Sequence, residues 1–234
     1  MIAAVILAGG SGLRMQSELR KQYLELDGIP VIGHTLMAFD RCFAIDRMVL
    51  VLPSEDIPQI GRTVLNRLVL EHDIEIVAGG QRRQDSVCNG LTFLGNEAET
   101  VLIHDGVRPF VRQSLIRSCL QGVAATGACI PAIPATDTLK RVDEDNTIVG
   151  TLDRQGIQCA QTPQTFDTAL IRRAHRLARQ NRYSVTDDAS VAELAGERVT
   201  VIPGDSDNIK VTHPPDLALA RAILARWQEE RGGR

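Results

Sequence analysis

A six-residue apolar run, Ile2–Leu7, leads without a linker into Ala8-Gly9-Gly10-Ser11-Gly12-Leu13-Arg14-Met15. A strand that ends in glycines brings backbone N–H groups close to whatever binds there, and successive loop amides form a cradle for an anion. Arg14 and Lys21 set two positive charges beside that cradle. The combination suits a triphosphate better than a neutral ligand.

Spacing separates this loop from two familiar ones. A Walker loop needs Gly-Lys followed by Ser or Thr, and none follows Gly12. A dinucleotide fingerprint needs a helix directly after the glycines and a second strand ending in an acidic residue within a unit of roughly 30 residues. The next convincing strand, Met48–Leu52, lies too far along and ends in Pro53-Ser54.

Strand-like runs at Ile2–Leu7, Met48–Leu52, Glu75–Val77, Val101–His104, Ala128–Ile133 and Arg198–Ile202 alternate with helical patterns. This alternation predicts an α/β fold, a mostly parallel sheet with helices on both faces. Helical stripes run through Leu115, Ile116, Cys119, Leu120 and Val123, and through Leu170, Ile171, Ala174, Leu177 and Ala178. A last helix starts near Pro214-Pro215 and buries Leu217, Ala220, Ile223, Leu224 and Trp227. The 234 residues read as a single domain, 1–234, with one interruption. Between about 134 and 164 there is no helical stripe, only Thr138–Val142 and Thr147–Asp153 around the polar turn Asp143-Glu144-Asp145-Asn146. This is the pattern of an inserted β-hairpin, which has no core of its own and needs a partner surface, most simply a second copy of the chain.

Composition narrows the function classes. A net charge of −3 without a long basic run argues against nucleic-acid binding. No apolar stretch approaches the roughly 20 residues that span a bilayer, and the opening strand is short for a signal-peptide core, so a cytoplasmic protein without membrane contact is expected. The five scattered cysteines form no Cys-x-x-Cys pair and fit reduced thiols; Cys88 reads as helix packing.

Polar clusters fall where strand ends should lie, the ligand-facing edge of such sheets. They are Gly79-Gly80-Gln81-Arg82-Arg83-Gln84-Asp85-Ser86-Val87, His104-Asp105-Gly106-Val107-Arg108-Pro109, Asp137-Thr138-Leu139-Lys140, Asp153-Arg154, Thr162-Pro163-Gln164, Thr186-Asp187-Asp188-Ala189-Ser190 and Asp207-Asn208-Ile209-Lys210-Val211-Thr212. With the glycine loop, and in this order over nearly the whole chain, they resemble the 2-C-methyl-D-erythritol 4-phosphate cytidylyltransferase family. The resemblance implies a Rossmann-like nucleotidyltransferase fold whose β-hairpin arm clasps a second subunit in a homodimer. It also implies a reaction between CTP and methylerythritol phosphate that releases pyrophosphate in non-mevalonate isoprenoid synthesis.

Carried over residue by residue, the resemblance gives the site. The backbone of Ala8, Gly9, Gly10 and Gly12 holds the triphosphate, while Arg14 and Lys21 stabilise the crowded phosphorus centre. Lys210 fixes the incoming phosphate; Arg154, from the partner's arm, pins the same phosphate, and Thr138 adds a hydroxyl. Mg2+ bridges the nucleotide phosphates with Asp105 as the protein carboxylate beside it. Gly80 and Ser86 read the cytosine edge. Arg108 is expected to brace its strand end, and Asp187 and Asp188 to cap the Ala189–Leu194 helix.

Two positions depart from the family pattern. Arg20 precedes Lys21 where proline is common, which implies a less rigid loop or an added phosphate-attracting charge. Gln81 stands where an acidic residue often contacts the base. Two other functions fit the same motifs: a ribitol 5-phosphate cytidylyltransferase, and a catalytically silent nucleotide-binding regulator on the same fold.

Overall fold

The computed structural model describes residues 1–9 and 20–232. In chain order, β1 (Ile2–Leu7) precedes a small ribbon of β2 (Glu25–Leu26) and β3 (Ile29–Pro30), then α1 (Val31–Asp40), β4 (Arg47–Leu52) and α2 (Ile57–Thr63). Next come β5 (Ile74–Ala78), α3 (Arg83–Leu94), β6 (Thr100–Asp105), α4 (Gln113–Thr126) and β7 (Ala128–Pro134). The hairpin strands are β8 (Leu139–Val142) and β9 (Ile148–Leu152), followed by β10 (Gln158–Ala160) and β11 (Gln164–Asp167). The chain closes with α5 (Thr168–Gln180), α6 (Asp188–Leu194), β12 (Thr200–Pro203) and α7 (Pro214–Gly232).

The main sheet runs β5-β4-β1-β6-β11-β7, with β12 and β10 also paired to β7. The pairs β5–β4, β4–β1, β1–β6 and β7–β12 are parallel. All six strands expected from the sequence are present, within one or two residues at each end.

Two strands that the sequence did not signal complete the sheet. β11 runs antiparallel between β6 and β7, and β10 pairs antiparallel with β7. The hairpin is therefore confined to β8 and β9, and the rest of the stretch up to Gln164 has already rejoined the sheet. Gln158–Asp167 reads Gln-Cys-Ala-Gln-Thr-Pro-Gln-Thr-Phe-Asp, polar and interrupted by proline, so nothing local announces it. Pairing supplies the strand: Gln164, Thr165 and Phe166 are buried between β6 and β7.

The period-two alternation of β1 divides the core. Ala3, Val5 and Leu7 pack on the face covered by α3, α5 and α6; Ala4, Ile6 and Ala8 pack on the face covered by α1, α2 and α4. A third cluster seats α7, through Leu217, Ala220 and Ile223, on Leu26, Val107 and Phe110. The α4 stripe is buried as its spacing predicts. On α5 the buried set is Thr168, Ile171, Ala174, His175 and Ala178, and Leu177 is exposed, so the buried face is rotated away from Leu177 and includes a histidine. Among the described residues no helix is long and apolar enough to cross a membrane.

Candidate functional site

The parallel strands β1, β4, β5 and β6 end on one edge of the sheet, and their C-terminal residues build the site. After β1, Ala8 is still tied to β4 by its N–H on the Val51 carbonyl at 2.7 Å, and Gly9 follows; Gly10, Gly12 and Arg14 lie outside the described residues. The loop returns through a single 3-10 turn, Lys21–Tyr23. Lys21 is buried there, and its neighbour Gln22, also buried, donates from Nε2 to the Ala8 carbonyl at 2.8 Å. That bond ties the two ends of the glycine loop together.

Arg20 faces acidic groups instead of an open phosphate site. Its guanidinium pairs with Glu55 at 2.5 Å and Asp56 at 3.6 Å, and Asp56 also accepts from the Tyr23 hydroxyl at 2.8 Å. The residue standing in place of proline thus fastens the loop exit to the end of β4, and its charge is already compensated.

Beyond β5, the Gly79-Gly80 turn wraps the first turn of α3. The Ser86 hydroxyl accepts from the Gly80 N–H at 3.1 Å and donates to the Arg82 carbonyl at 3.2 Å. Any Cβ on Gly80 would stand 2.4 Å from the Asp85 Cβ, and one on Gly79 would stand 2.9 Å from Ser86 Oγ, so these positions require glycine for close approach. Gly9 faces the same hydroxyl, its notional Cβ at 3.5 Å. The base-reading residues expected from the sequence, Gly80 and Ser86, are therefore one hydrogen-bonded unit beside the loop after β1. The Ser86 proton is already committed to Arg82, and the Gly79 and Gly80 amides to Leu52 and Ser86, which leaves the remaining acceptor capacity of the hydroxyl oxygen to face a base. Gln81 is exposed.

At the end of β6 the buried carboxylate of Asp105 meets three cations. Arg83 Nε lies 3.3 Å from Oδ1; Lys210 Nζ and Arg108 Nε lie 2.8 and 3.8 Å from Oδ2. Burial raises the Asp105 pKa, but Arg83, Lys210 and Arg108 overcome it and hold the carboxyl well below the usual carboxylate range. Arg83 is shared with the carboxylate of Asp188 at 2.7 Å, so three cations face two carboxylates, and the remaining positive charge suits a phosphate. Arg108 braces the strand end as expected, donating from Nη1 to the Asn208 carbonyl at 2.7 Å and so docking the segment that carries Lys210.

Thr162 joins this edge from the strand that returns from the hairpin. Its hydroxyl accepts from the Asp105 N–H at 3.1 Å and donates to His104 Nδ1 at 3.0 Å, while His104 Nε2 donates to the Arg108 carbonyl at 3.1 Å. Burial lowers the His104 pKa to about 4, so the ring is neutral and works as a spacer.

Asp187 and Asp188 have separate tasks. Asp187 caps α6, accepting from the Ser190 N–H at 3.0 Å, as the sequence suggested. Asp188 is not the cap: its carboxylate is buried, with Arg83 Nη1 at 2.7 Å on one oxygen and His175 Nε2 at 3.1 Å on the other. Gln164 holds the same helix end, accepting from the Asp188 and Ala189 amides at 2.8 and 3.0 Å. Arg83 and His175 were not singled out from the sequence, although Arg83 lies inside one of the polar clusters.

Thr138 and Arg154 are exposed on and beside the hairpin, where the Arg154 guanidinium donates to the Thr136 carbonyl. Among the described residues neither bonds to Asp105, Lys210 or Ser86. The structure thus joins Asp105 with Lys210, and Gly9 with Gly80 and Ser86, and it leaves the arm residues apart from both groups. No group of three or more His, Cys, Asp or Glu among the described residues is arranged to hold a metal ion.

A glycine loop, a base-side turn and a cation-clasped carboxylate along one edge of a largely parallel sheet define an α/β nucleotidyltransferase. A family model described as 2-C-methyl-D-erythritol 4-phosphate cytidylyltransferase matches residues 2–226, and the chain belongs to that family. Relatives bearing that name are 42% identical in Pelotomaculum thermopropionicum, over 99% of each chain, and 44% identical in Syntrophus aciditrophicus, over 96% of each. Among solved structures, the chain is similar to 4-diphosphocytidyl-2C-methyl-D-erythritol synthase from Anaerococcus prevotii, with a TM-score of 0.83, 34% identity and 96% of each chain covered. It is also similar to 2-C-methyl-D-erythritol 4-phosphate cytidylyltransferase from Thermus thermophilus, with a TM-score of 0.77, 31% identity and 95% and 98% of the two chains covered.

Proposed function

We propose that this chain transfers the cytidylyl group of CTP to 2-C-methyl-D-erythritol 4-phosphate, releasing pyrophosphate, in non-mevalonate isoprenoid synthesis. Family membership supports the substrates, and one observation carries the chemistry: the buried Asp105 clasped by Arg83, Arg108 and Lys210 at the strand edge that also bears the glycine loop. A phosphate oxygen of the polyol substrate attacks the α-phosphorus, the new P–O bond forms, and the α–β bridging bond breaks to free pyrophosphate. Nucleophile and electrophile are both anionic, so the protein's work is neutralising and aligning charge.

In this reading the amides of Ala8, Gly9, Gly10 and Gly12 cradle the triphosphate, and Arg14 and Lys21 neutralise the reacting phosphorus. Lys210 receives the polyol phosphate. Ser86, through its hydroxyl oxygen, and the backbone at Gly80 read the cytosine edge. A magnesium ion would be held mainly by the nucleotide phosphates, as is common for magnesium, with Asp105 as the candidate carboxylate among the described residues, its oxygens already facing Arg83, Arg108 and Lys210. When bound it supplies charge to the phosphates.

The active form is proposed to be a cytoplasmic homodimer of single-domain subunits, each arm lending Thr138 and Arg154 to its neighbour's polyol phosphate. Exposed Val142, Ile148, Val149 and Leu152 on the arm support that reading, because apolar side chains at such density fit an interface better than solvent. Neither nucleic acid nor membrane enters this reading. The deciding test is pyrophosphate release with CTP and magnesium, offered methylerythritol phosphate or ribitol 5-phosphate. Turnover of the first alone is expected. Turnover of the second alone would move the substrate, and silence with both would overturn the catalytic assignment.

A further inference from the structure

Behind Asp105 the polar chain continues into the interior. Arg83, at the first turn of α3, spans from Asp105 to Asp188; His175 of α5 takes the other oxygen of Asp188; and the second ring nitrogen of His175 meets the Cys88 thiol, back on α3, at 3.4 Å. Asp188 and His175 are 1% and 3% exposed at the side chain, so each has only the others as partners.

The distances within this chain are unequal. Arg83 gives Asp188 a short contact of 2.7 Å and gives Asp105 a longer one of 3.3 Å. A guanidinium left with one carboxylate would close on it as a two-toothed fork, the geometry it favours. Here the second carboxylate holds the fork back, and the oxygen that the fork would otherwise claim, Oδ2 of Asp105, is the one facing Lys210. We infer that Asp188 is a positioning residue for the transfer: it withholds Arg83 from Asp105, so that Asp105 keeps Lys210 aligned for the acceptor phosphate. This inference rests on the proposed reaction.

With Asp188→Asn, Arg83 loses its charged anchor and closes on Asp105, and Lys210 is released. The expected result is a fall in kcat/KM for methylerythritol phosphate on the order of tenfold to a hundredfold, the scale of a misplaced reacting group. The KM for CTP should stay within about twofold, and Asp188→Glu should recover part of the loss. Combined with Arg83→Met, Asp188→Asn should cost nothing more than Arg83→Met alone, because both act through one contact. Multiplicative losses in the double variant, or equal falls in every parameter that track the folded fraction, would overturn the inference. If Arg83→Met does not fold, Arg83→Lys takes its place in the cycle, since one ammonium cannot span both carboxylates. A crystal structure of Asp188→Asn decides the point without turnover. Arg83 bidentate on Asp105 with Lys210 displaced supports it, and an unmoved Arg83 and Lys210 overturns it. A parent enzyme silent with both polyol phosphates would instead overturn the proposed reaction, while that structure would still decide the inference.

Discussion

Lys210 Nζ lies 2.8 Å from Asp105 Oδ2, joining the segment that follows β12 to the end of β6 on the opposite side of β7 and β11. The ammonium is about two-fifths exposed while its carboxylate partner is almost fully covered, so the charge faces outward from a fixed base. Removing it should therefore act on the incoming phosphate more than on the fold. Lys210→Ala is expected to lower kcat/KM for methylerythritol phosphate by on the order of 10²–10³, with a much smaller change in KM for CTP. Pyrophosphate release at varied concentrations of each substrate measures both, and equal losses for the two substrates would refute the assignment.

Gln22 is the clasp of the glycine loop. Gln22→Ala leaves the buried Ala8 carbonyl without that donor, at a cost of about 1–2 kcal/mol. Urea unfolding should report that loss, and turnover should fall because the cradle is no longer tied at both ends. Lys21→Ala, by contrast, should abolish turnover while calorimetry still detects CTP binding.

His175 gives stability a pH signature. Burial lowers its pKa, but hydrogen bonds to Asp188 and Cys88 and the Asp188 charge outweigh that and raise it to about 9. A group whose pKa is raised on folding stabilises fully below its unfolded value, near 6.5, and loses that contribution as pH climbs through about 9. His175→Gln should thus be least stable relative to the parent at pH 6, and the gap should narrow steadily toward pH 9.5. Thermal unfolding across that range reads the difference, and a gap independent of pH would exclude a charged His175.

Asp207 gives the opposite signature. Burial raises its carboxyl, and hydrogen bonds from Arg226, Trp227 and Arg112 bring it down to about 2. Its contribution is present above the unfolded value near 3.9 and disappears as pH falls from there through about 2. Asp207→Asn should destabilise by about 1–2 kcal/mol at pH 7 and by only a small fraction of that at pH 2, as followed by chemical denaturation.

The arm predicts a mass. The parent is expected to sediment as a dimer, and joint replacement Ile148→Asp and Val149→Asp should yield a monomer. Arg154→Ala should raise the KM for the polyol phosphate more than that for CTP. Mixed dimers of Arg154→Ala and Lys21→Ala chains should regain activity, because one of the two sites is then whole. No recovery would count against a residue shared across subunits.

How far the sequence revealed this molecule depended on how local each signal was. Six strands were visible because each is a short stretch rich in apolar residues, Val or Ile among them, and the hairpin because its two halves flank a polar turn. β10 and β11 were hidden, since Gln164–Asp167 becomes a strand only when β6 and β7 stand on either side of it. Lys21 and Lys210 could be named from motifs as candidate phosphate-binding cations. Arg83 could not be chosen over Arg82 within the same cluster: Arg82 turns back to Asp85 on its own helix, and Arg83 reaches Asp188, and only tertiary structure distinguishes the two. His175 did leave a trace, because 171, 174, 175 and 178 is a better helical face than the stripe through Leu177.

The position of β11 bears on how the chain is assembled during synthesis. Thr100–Asp105 and Ala128–Pro134 both leave the ribosome before Gln164–Asp167, yet in the finished sheet they are neighbours only through it. Until that strand arrives, two apolar edges face one another across an empty lane. Direct pairing of those edges would trap the chain in a sheet one strand too narrow. The four residues of β11, Gln-Thr-Phe-Asp, carry no strand signal of their own, so the β6 edge that bears Asp105 is complete only once this late segment lies between β6 and β7.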